Sequence, residues 1–281
     1  MKISIIGTGL IGGSMALKLK QKGIAEFIYG IDNNREHLDK ALDLKIIDAG
    51  ADLEYGIKNS DLVILAIPVD AARKLLPEVL DLISDRQTVM DAGSTKAGIV
   101  NAVQNHPKRS RFVAFHPMWG TENSGPASAV AESFSGKAGV ICNKEESADD
   151  ALKTVEKIVE NLDMHLIYMN AEAHDVHTAY ISHISHITSY ALANTVLEKE
   201  REEETIFQLA SSGFSSTVRL AKSHPEMWVP IFKQNKENVL DVLNEHISQL
   251  RKFKSALEKE NFDYLGELIS HANKIRGILD K

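Results

Sequence analysis

A short apolar run, Lys2-Ile-Ser-Ile-Ile6, leads directly into Gly7-Thr-Gly9-Leu-Ile-Gly12-Gly13. Where a strand turns into a helix, such glycines have separate tasks. Gly7 permits the tight turn, Gly9 lets the backbone approach a pyrophosphate, and Gly12 lets the helix lie close to the strand. The amides of Leu10 and Ile11, at the helix start, would face the phosphates with the positive end of the helix dipole. Asp32 lies 20 residues after Gly12, at the end of a second strand pattern, where a carboxylate can accept bonds from ribose hydroxyls. A carboxylate there repels a 2′-phosphate, so these residues predict binding of NAD rather than NADP. Arg35 is the neighbouring residue that could take such a phosphate instead. The bland alternatives are a bare turn for the glycines and a helix cap for Asp32.

Three further segments carry residues fit for chemistry. Leu62–Pro68 reads as a buried parallel strand ending in a small loop, with Ala66 and Pro68 as walls beside a cofactor or simply as loop residues. Asp91-Ala-Gly-Ser94-Thr-Lys96 comes after another strand. Ser94 could cap the next helix or present its hydroxyl near a nicotinamide and a substrate. Phe112–Phe115 runs into His116-Pro-Met-Trp-Gly-Thr-Glu122-Asn-Ser-Gly-Pro126. A histidine at a strand's carboxyl end can take a proton from an alcohol while hydride leaves the same carbon. A histidine satisfied by backbone is the alternative. Four histidines at 174, 177, 183 and 186 invite a metal reading, but regular helix at about 100° per residue puts 174 opposite 183 and 177 opposite 186. With no cysteine cluster and no HExxH, no metal is expected.

These residues need elements to hold them. Strand patterns at 2–6, 27–31, 62–66, 88–91, 112–115, 138–142 and 165–168 alternate with helical ones at 10–22, 35–42, 70–81 and 148–162. That alternation implies an α/β fold, a doubly wound, mostly parallel Rossmann-type sheet. After Tyr168 only helix is predicted, over 171–197, 203–210, 228–253 and 262–279. Val239, Leu240, Val242, Leu243, Ile247, Leu250 and Phe253 repeat at three and four residues, an amphipathic stripe for core packing or for a second copy of the chain. The expected division is therefore a dinucleotide-binding domain at 1–168 and an all-α substrate and dimerisation domain at 169–281.

Composition narrows the partners. With 32 basic against 39 acidic residues and no basic run, nucleic acid is not an expected partner. Cys142 is the only cysteine, which excludes an intramolecular disulfide and fits a reducing cytoplasm. No signal-peptide pattern opens the chain, and no apolar run reaches the ~18 residues of a membrane span.

The His116-Pro-Met-x-Gly-Thr-Glu-x-Ser-Gly loop resembles the signature of prephenate dehydrogenases. Asp91-x-Gly-Ser94-x-Lys96, Ser182-His183-Ile-Ser-His186, and Leu209–Ala221 with Pro225-Glu-Met-Trp228 after it resemble the same family, in the same order. The resemblance implies NAD-dependent oxidative decarboxylation of prephenate, with His116 taking the proton of the ring hydroxyl. Ser94 would orient that hydroxyl and the nicotinamide. Arg219 would pair with a substrate carboxylate, His186 would add a polar contact, and Glu122 and Trp228 would line or gate the pocket. The chain departs from the family pattern at Ser185, at Ser211 and Ser212, and at Ser215 and Ser216, where an Arg-Asp pair is frequent. Alternatives are an arogenate dehydrogenase, another two-domain dehydrogenase, and a NAD-binding regulator without catalysis.

Overall fold

A computed structural model describes residues 1–201 and 205–279. The strands are β1 (Lys2–Ile6), β2 (Phe27–Ile31), β3 (Ala49–Gly50), β4 (Leu62–Leu65), β5 (Thr88–Asp91), β6 (Phe112–Pro117), β7 (Ala138–Cys142) and β8 (His165–Met169). They form one sheet in the order β3-β2-β1-β4-β5-β6-β7-β8, parallel throughout except between β6 and β7. The first half carries helices α1 (Leu10–Gln21), α2 (Arg35–Asp43), α3 (Leu53–Lys58), α4 (Val69–Leu82), α5 (Ala97–Ala102) and α6 (Asp149–Asn161). Side chains of β4 alternate between the sheet's two faces. Leu62 and Ile64 join a core with Ile3, Ile5, Met15 and Phe115, while Val63 and Leu65 join another with Leu76, Val79 and Phe112. Apolar residues on both faces explain why these strands read as unbroken hydrophobic runs. Two-residue β3 is too short for a sequence pattern to reveal.

Beyond β8 come α7 (Ala171–Thr178), α8 (Ile184–Glu200), α9 (Ser212–Thr217), α10 (Pro225–Gln234), α11 (Lys236–Glu258), α12 (Phe262–Ala272) and α13 (Arg276–Leu279). Three predicted helices differ in detail. The helix expected over 171–197 is continuous, but residues 179–183 wind as a π-helical turn. Of the helix expected at 203–210, residues 203 and 204 lie outside the described residues, and the rest forms only a 3₁₀ turn at Ile206–Leu209. The helix expected at 228–253 is broken at Asn235, which leaves helical geometry at φ −106° and ψ 27°.

The chain forms two compact units, 1–235 and 236–281. In the second, α11 and α12 pack as a helical hairpin, and the Asn261 side chain caps α12 by accepting the Tyr264 amide. Among the described residues no helix is long and apolar enough to cross a membrane.

Candidate active site

The carboxyl ends of β1, β2, β4, β5 and β6 lie along one edge of the parallel sheet, and the glycine turn, Asp32, Ala66, Ser94 and His116 stand at them or just beyond. At the first turn Gly7 has φ +97°, and a Cβ there would sit 2.4 Å from the Ala66 carbonyl oxygen. A Cβ on Gly12 would sit 2.1 Å from the Gly7 carbonyl oxygen, so helix, turn and the β4 loop touch through bare backbone. A Cβ on Gly9 would meet no protein atom within 4 Å. Gly7 and Gly12 are thus fixed by packing, while Gly9 leaves space in front of the helix. No side chain caps α1 and its first turn holds no acid, so no protein group competes for the amides around Leu10 and Ile11.

Asp32 closes this site on the other side. Its Oδ2 accepts the Thr8 amide and the Thr8 hydroxyl, both at 2.9 Å, and its Oδ1 accepts the Asn34 amide at 2.9 Å. Asn34, not Asp32, caps α2, accepting from the Glu36 and His37 amides. Arg35 is committed to Asp39 one turn along α2. Asp32 is therefore a held acceptor rather than a cap. The donors and spacing fit a dinucleotide with a free ribose 2′-hydroxyl. Ala66 is half-buried against Gly7, and Pro68 is exposed at the start of α4.

The next two strand ends are tied by a buried ion pair. Lys96, fully buried, donates to the Asp91 carboxylate and, at 2.8 Å, to the Phe115 carbonyl, while Asp91 Oδ1 accepts the Phe115 amide at 3.1 Å. His116 is thereby fixed to the turn bearing half-buried Ser94. Ser94 does not cap α5. The carboxylate of Asp175, from α7, accepts the amides of Lys96 and Ala97 at 2.7 and 2.9 Å. His116 Nδ1 lies 2.8 Å from His174 Nε2, and His174 Nδ1 lies 2.8 Å from Asp175 Oδ1. Burial, then the His174 ring, the Lys96 ammonium and His183, hold His116 well below the ordinary imidazole range. These influences favour the neutral form of the His116 ring.

The histidine faces correct the regular-helix expectation. His174 and His183 are both buried, as is His186. The π turn at 179–183 takes up extra residues per turn and rotates the helix beyond it, so positions 174 and 183 look into the same side. His183 packs edge-on against Trp228 and contacts Asn235, which also donates to the Asp175 carbonyl at 2.6 Å. His186 stacks on Trp228 with ring centroids 3.4 Å apart. The indole nitrogen of Trp228 is buried with no hydrogen-bond partner among the described residues, an unspent donor. His177 is exposed and outside this cluster.

Arg219 lies just past α9, in a segment clamped by Ser189 of α8, which donates to the Thr217 carbonyl and accepts the Ala221 amide. Its guanidinium donates to Glu122 at 2.7 Å, so the His116 loop itself supplies the carboxylate partner. The Glu122 carboxyl is lowered by its own backbone amide and then by Arg219. Arg219 is half-exposed, with donors to spare, and its charge reaches His186, whose pKa is lowered first by burial. Ser216, where the family often has an acid, donates to the Gly213 carbonyl. His116, His174, Asp175, Asn235, His183, Trp228 and His186 thus form one run of contacts, and Arg219 with Glu122 forms a separate pair whose charge is felt at His186. Sequence reasoning alone does not reach Thr8, Asn34, Asp175 and Asn235, and it notes His174 only as one of four histidines. The His-Asp dipeptide at 174 and 175 has no local signature and resembles ordinary helix surface.

A glycine turn and held acid for a dinucleotide, with a buried neutral histidine at the next strand ends, define an NAD-dependent oxidoreductase. Two family models match in succession, "Prephenate dehydrogenase, nucleotide-binding domain" over residues 15–168 and "Prephenate dehydrogenase, dimerization domain" over 170–271. The chain is 32% identical to a prephenate dehydrogenase of Bacillus subtilis over 98% of its own length and 75% of that protein's. It superposes with TM-score 0.91 and 32% identity on the prephenate dehydrogenase of Aquifex aeolicus solved with hydroxyphenyl propionate and NAD+, covering 99% and 98% of the two chains. Synechocystis arogenate dehydrogenase superposes at TM-score 0.76 and 25% identity, covering 99% of each chain. The protein belongs to the prephenate dehydrogenase family.

Proposed function

We propose that this enzyme oxidises prephenate with NAD and releases carbon dioxide, giving 4-hydroxyphenylpyruvate on the route to tyrosine. The observation that carries this reading is His116, buried and held neutral at the sheet's carboxyl edge and joined through His174, Asp175 and Asn235 to the His183–Trp228 wall. Gly7, Gly9, Gly12, the amides at Leu10 and Ile11, and Asp32 hold the dinucleotide, with Ala66 and Pro68 beside it. When bound, it supplies the hydride acceptor at the carbon bearing the ring hydroxyl. His116 takes the hydroxyl proton, and Ser94 orients that hydroxyl. Loss of the ring carboxylate as carbon dioxide leaves its electron pair in an aromatic ring, which supplies the driving force. Arg219 binds a substrate carboxylate with donors that Glu122 leaves unused. His186 and the unspent indole N–H of Trp228 add polar contacts on the pocket wall. Positioning and proton removal are the protein's share of the chemistry.

Arogenate is the second reading. It is favoured by one feature, the Glu122 carboxylate beside Arg219, which an ammonium-bearing side chain would welcome. The test is NADH or NADPH formation with prephenate and with arogenate, each with NAD and NADP. Turnover of prephenate with NAD carries the proposal. Turnover of arogenate alone moves the assignment to that substrate, and no turnover of either supports a non-catalytic NAD-binding role.

The same reading divides the chain into a dinucleotide domain, 1–168, and a helical domain, 169–281, that assembles a homodimer in the cytoplasm. Its support is the stripe of α11, where Val239 and Val242 are buried but Leu240 and Leu250 stay exposed, and the exposed Phe262 and Ile269 of α12. Sedimentation at twice the chain mass is the expected result, and a monomer would reject it.

A further inference from the structure

A histidine that accepts a proton must carry its lone pair on the nitrogen turned toward the substrate. Elimination identifies that nitrogen here. The Asp175 carboxylate only accepts, and it already takes the Lys96 amide on Oδ1 and the Ala97 amide on Oδ2. His174 Nδ1, 2.8 Å from Oδ1, is therefore the protonated nitrogen of its ring. Burial, the largest influence on His174, disfavours its charged form, so its Nε2 is bare. That bare nitrogen, 2.8 Å from His116 Nδ1, accepts the His116 Nδ1–H. The lone pair of His116 is left on Nε2, the nitrogen His174 does not engage.

We propose that His174 and Asp175 are positioning residues for proton abstraction, holding His116 in its Nδ1–H form and aiming Nε2 at the substrate hydroxyl. The inference rests on the reading of His116 as the base. Without the relay the ring could swing or hold its proton on Nε2, presenting a donor where an acceptor is needed. The Asp175 carboxylate has a second task. It binds the first amides of α5, immediately after Ser94, so the base and the hydroxyl that orients the substrate share one anchor. Asn235 holds the Asp175 backbone from the end of α10, and the π turn after α7 returns His183 to the same wall. His174 and Asp175 act through the His116 ring and the α5 amides.

The experiment combines ring-nitrogen NMR of the NAD-bound enzyme, without prephenate, with steady-state turnover. His116 resonances are assigned by their loss in His116→Asn. The wild type is expected to show a protonated Nδ1 and a bare Nε2 at His116. His174→Met removes the acceptor, and kcat should fall by about 10–10²-fold, the scale on which partners orienting a working imidazole act, with loss of the pure Nδ1–H signature. His174→Gln keeps a carbonyl that can accept from His116, and should restore the signature and most of the rate. A protonated Nε2 in the wild type overturns the proposal without any variant, so a misfolded His174→Met cannot shield it. Equal losses in the Met and Gln variants, or wild-type turnover in His174→Met, also overturn it. The spectrum needs no substrate. A chain with the expected tautomer that turns over no cyclohexadienyl substrate would defeat the functional reading and leave the relay standing.

Discussion

Between Gly7 and Asp32 the candidate dinucleotide site is built largely from backbone. Two glycines let strand, turn and helix meet, a third leaves open space, and one acid is held by its neighbours Thr8 and Asn34. Around His116 it works with buried side chains instead. Lys96, Asp91, His174 and Asp175 are drawn from distant stretches of the chain and bond one another and the backbone of Gly93, Ala97 and Phe115. The first region can be built from contiguous chain because backbone amides are available wherever a helix begins. The second cannot, because a neutral base inside a protein needs partners that fix both its charge and its proton, and these come from distant elements. The two regions should therefore fail differently when altered.

The largest expected effect lies in the side-chain region. His116→Asn should lower kcat by about 10²–10⁴-fold, the usual contribution of a positioned general base, while NAD affinity, measured by fluorescence titration, stays as in the wild type. Loss of NAD binding together with turnover would show that the two regions are not separable.

Acid should expose the same region next. Burial lowers His116, His174, His183 and His186, and His183 reaches about 4. Below the ordinary imidazole value of about 6.5, the unfolded chain binds protons that the folded chain refuses. Stability is thus intact above that value and is lost as pH falls through the window toward 4. His183 alone accounts for on the order of 3 kcal/mol across it. Urea unfolding at pH 7.5, 6 and 5 reads this, and a flat response would mean that these rings are not buried neutral.

The contrast also explains how much the sequence reveals. Seven of the eight strands and the glycine turn are legible because each depends on local pattern: apolar runs, turn glycines, and an acid at a fixed interval. Only β3, two residues long, leaves no trace. His116, Ser94 and Arg219 stand out through their place in known motifs, and Asp32 through its interval from Gly12. The histidine helix defeats a reading based on regular period. No Pro or Gly marks the π turn at 179–183, so regular 3.6-residue counting runs straight through it. The break at Asn235 is hidden for a related reason, since its side chain is bonded to Asp175, 60 residues away. Asp175 itself cannot be found without tertiary structure, because its partners lie 78 and 79 residues earlier.

Arg219 lies between the extremes, exposed enough to work as a surface cation yet aimed by Ser189 and Glu122. Arg219→Ala should raise KM for prephenate by about 10–10²-fold, the equivalent of one charge-assisted hydrogen bond, with a smaller change in kcat. An unchanged KM would remove this residue from the substrate site. Glu122, freed from its partner, should then regain a more ordinary carboxyl pKa.

The smallest and sharpest contrast is within the glycine turn. Gly12→Ala places a Cβ 2.1 Å from a backbone oxygen that cannot step aside, so the α1–β1 packing must shift. Thermal and urea unfolding should report a loss of about 1–3 kcal/mol, as for overpacked cores. Gly9→Ala adds the same methyl group where no protein atom lies within 4 Å, at φ −72°, which alanine adopts freely. Its stability should stay within about 0.5 kcal/mol of the wild type. The methyl instead occupies the space assigned to the pyrophosphate, and displacing a phosphate from the helix amides weakens charge-assisted hydrogen bonds, raising the NAD dissociation constant by about 10–10²-fold. Two identical methyl additions, one on each side of the Leu10-Ile11 dipeptide, would thus separate folding from binding. If Gly9→Ala bound NAD normally, the cofactor would have to lie elsewhere along the sheet edge.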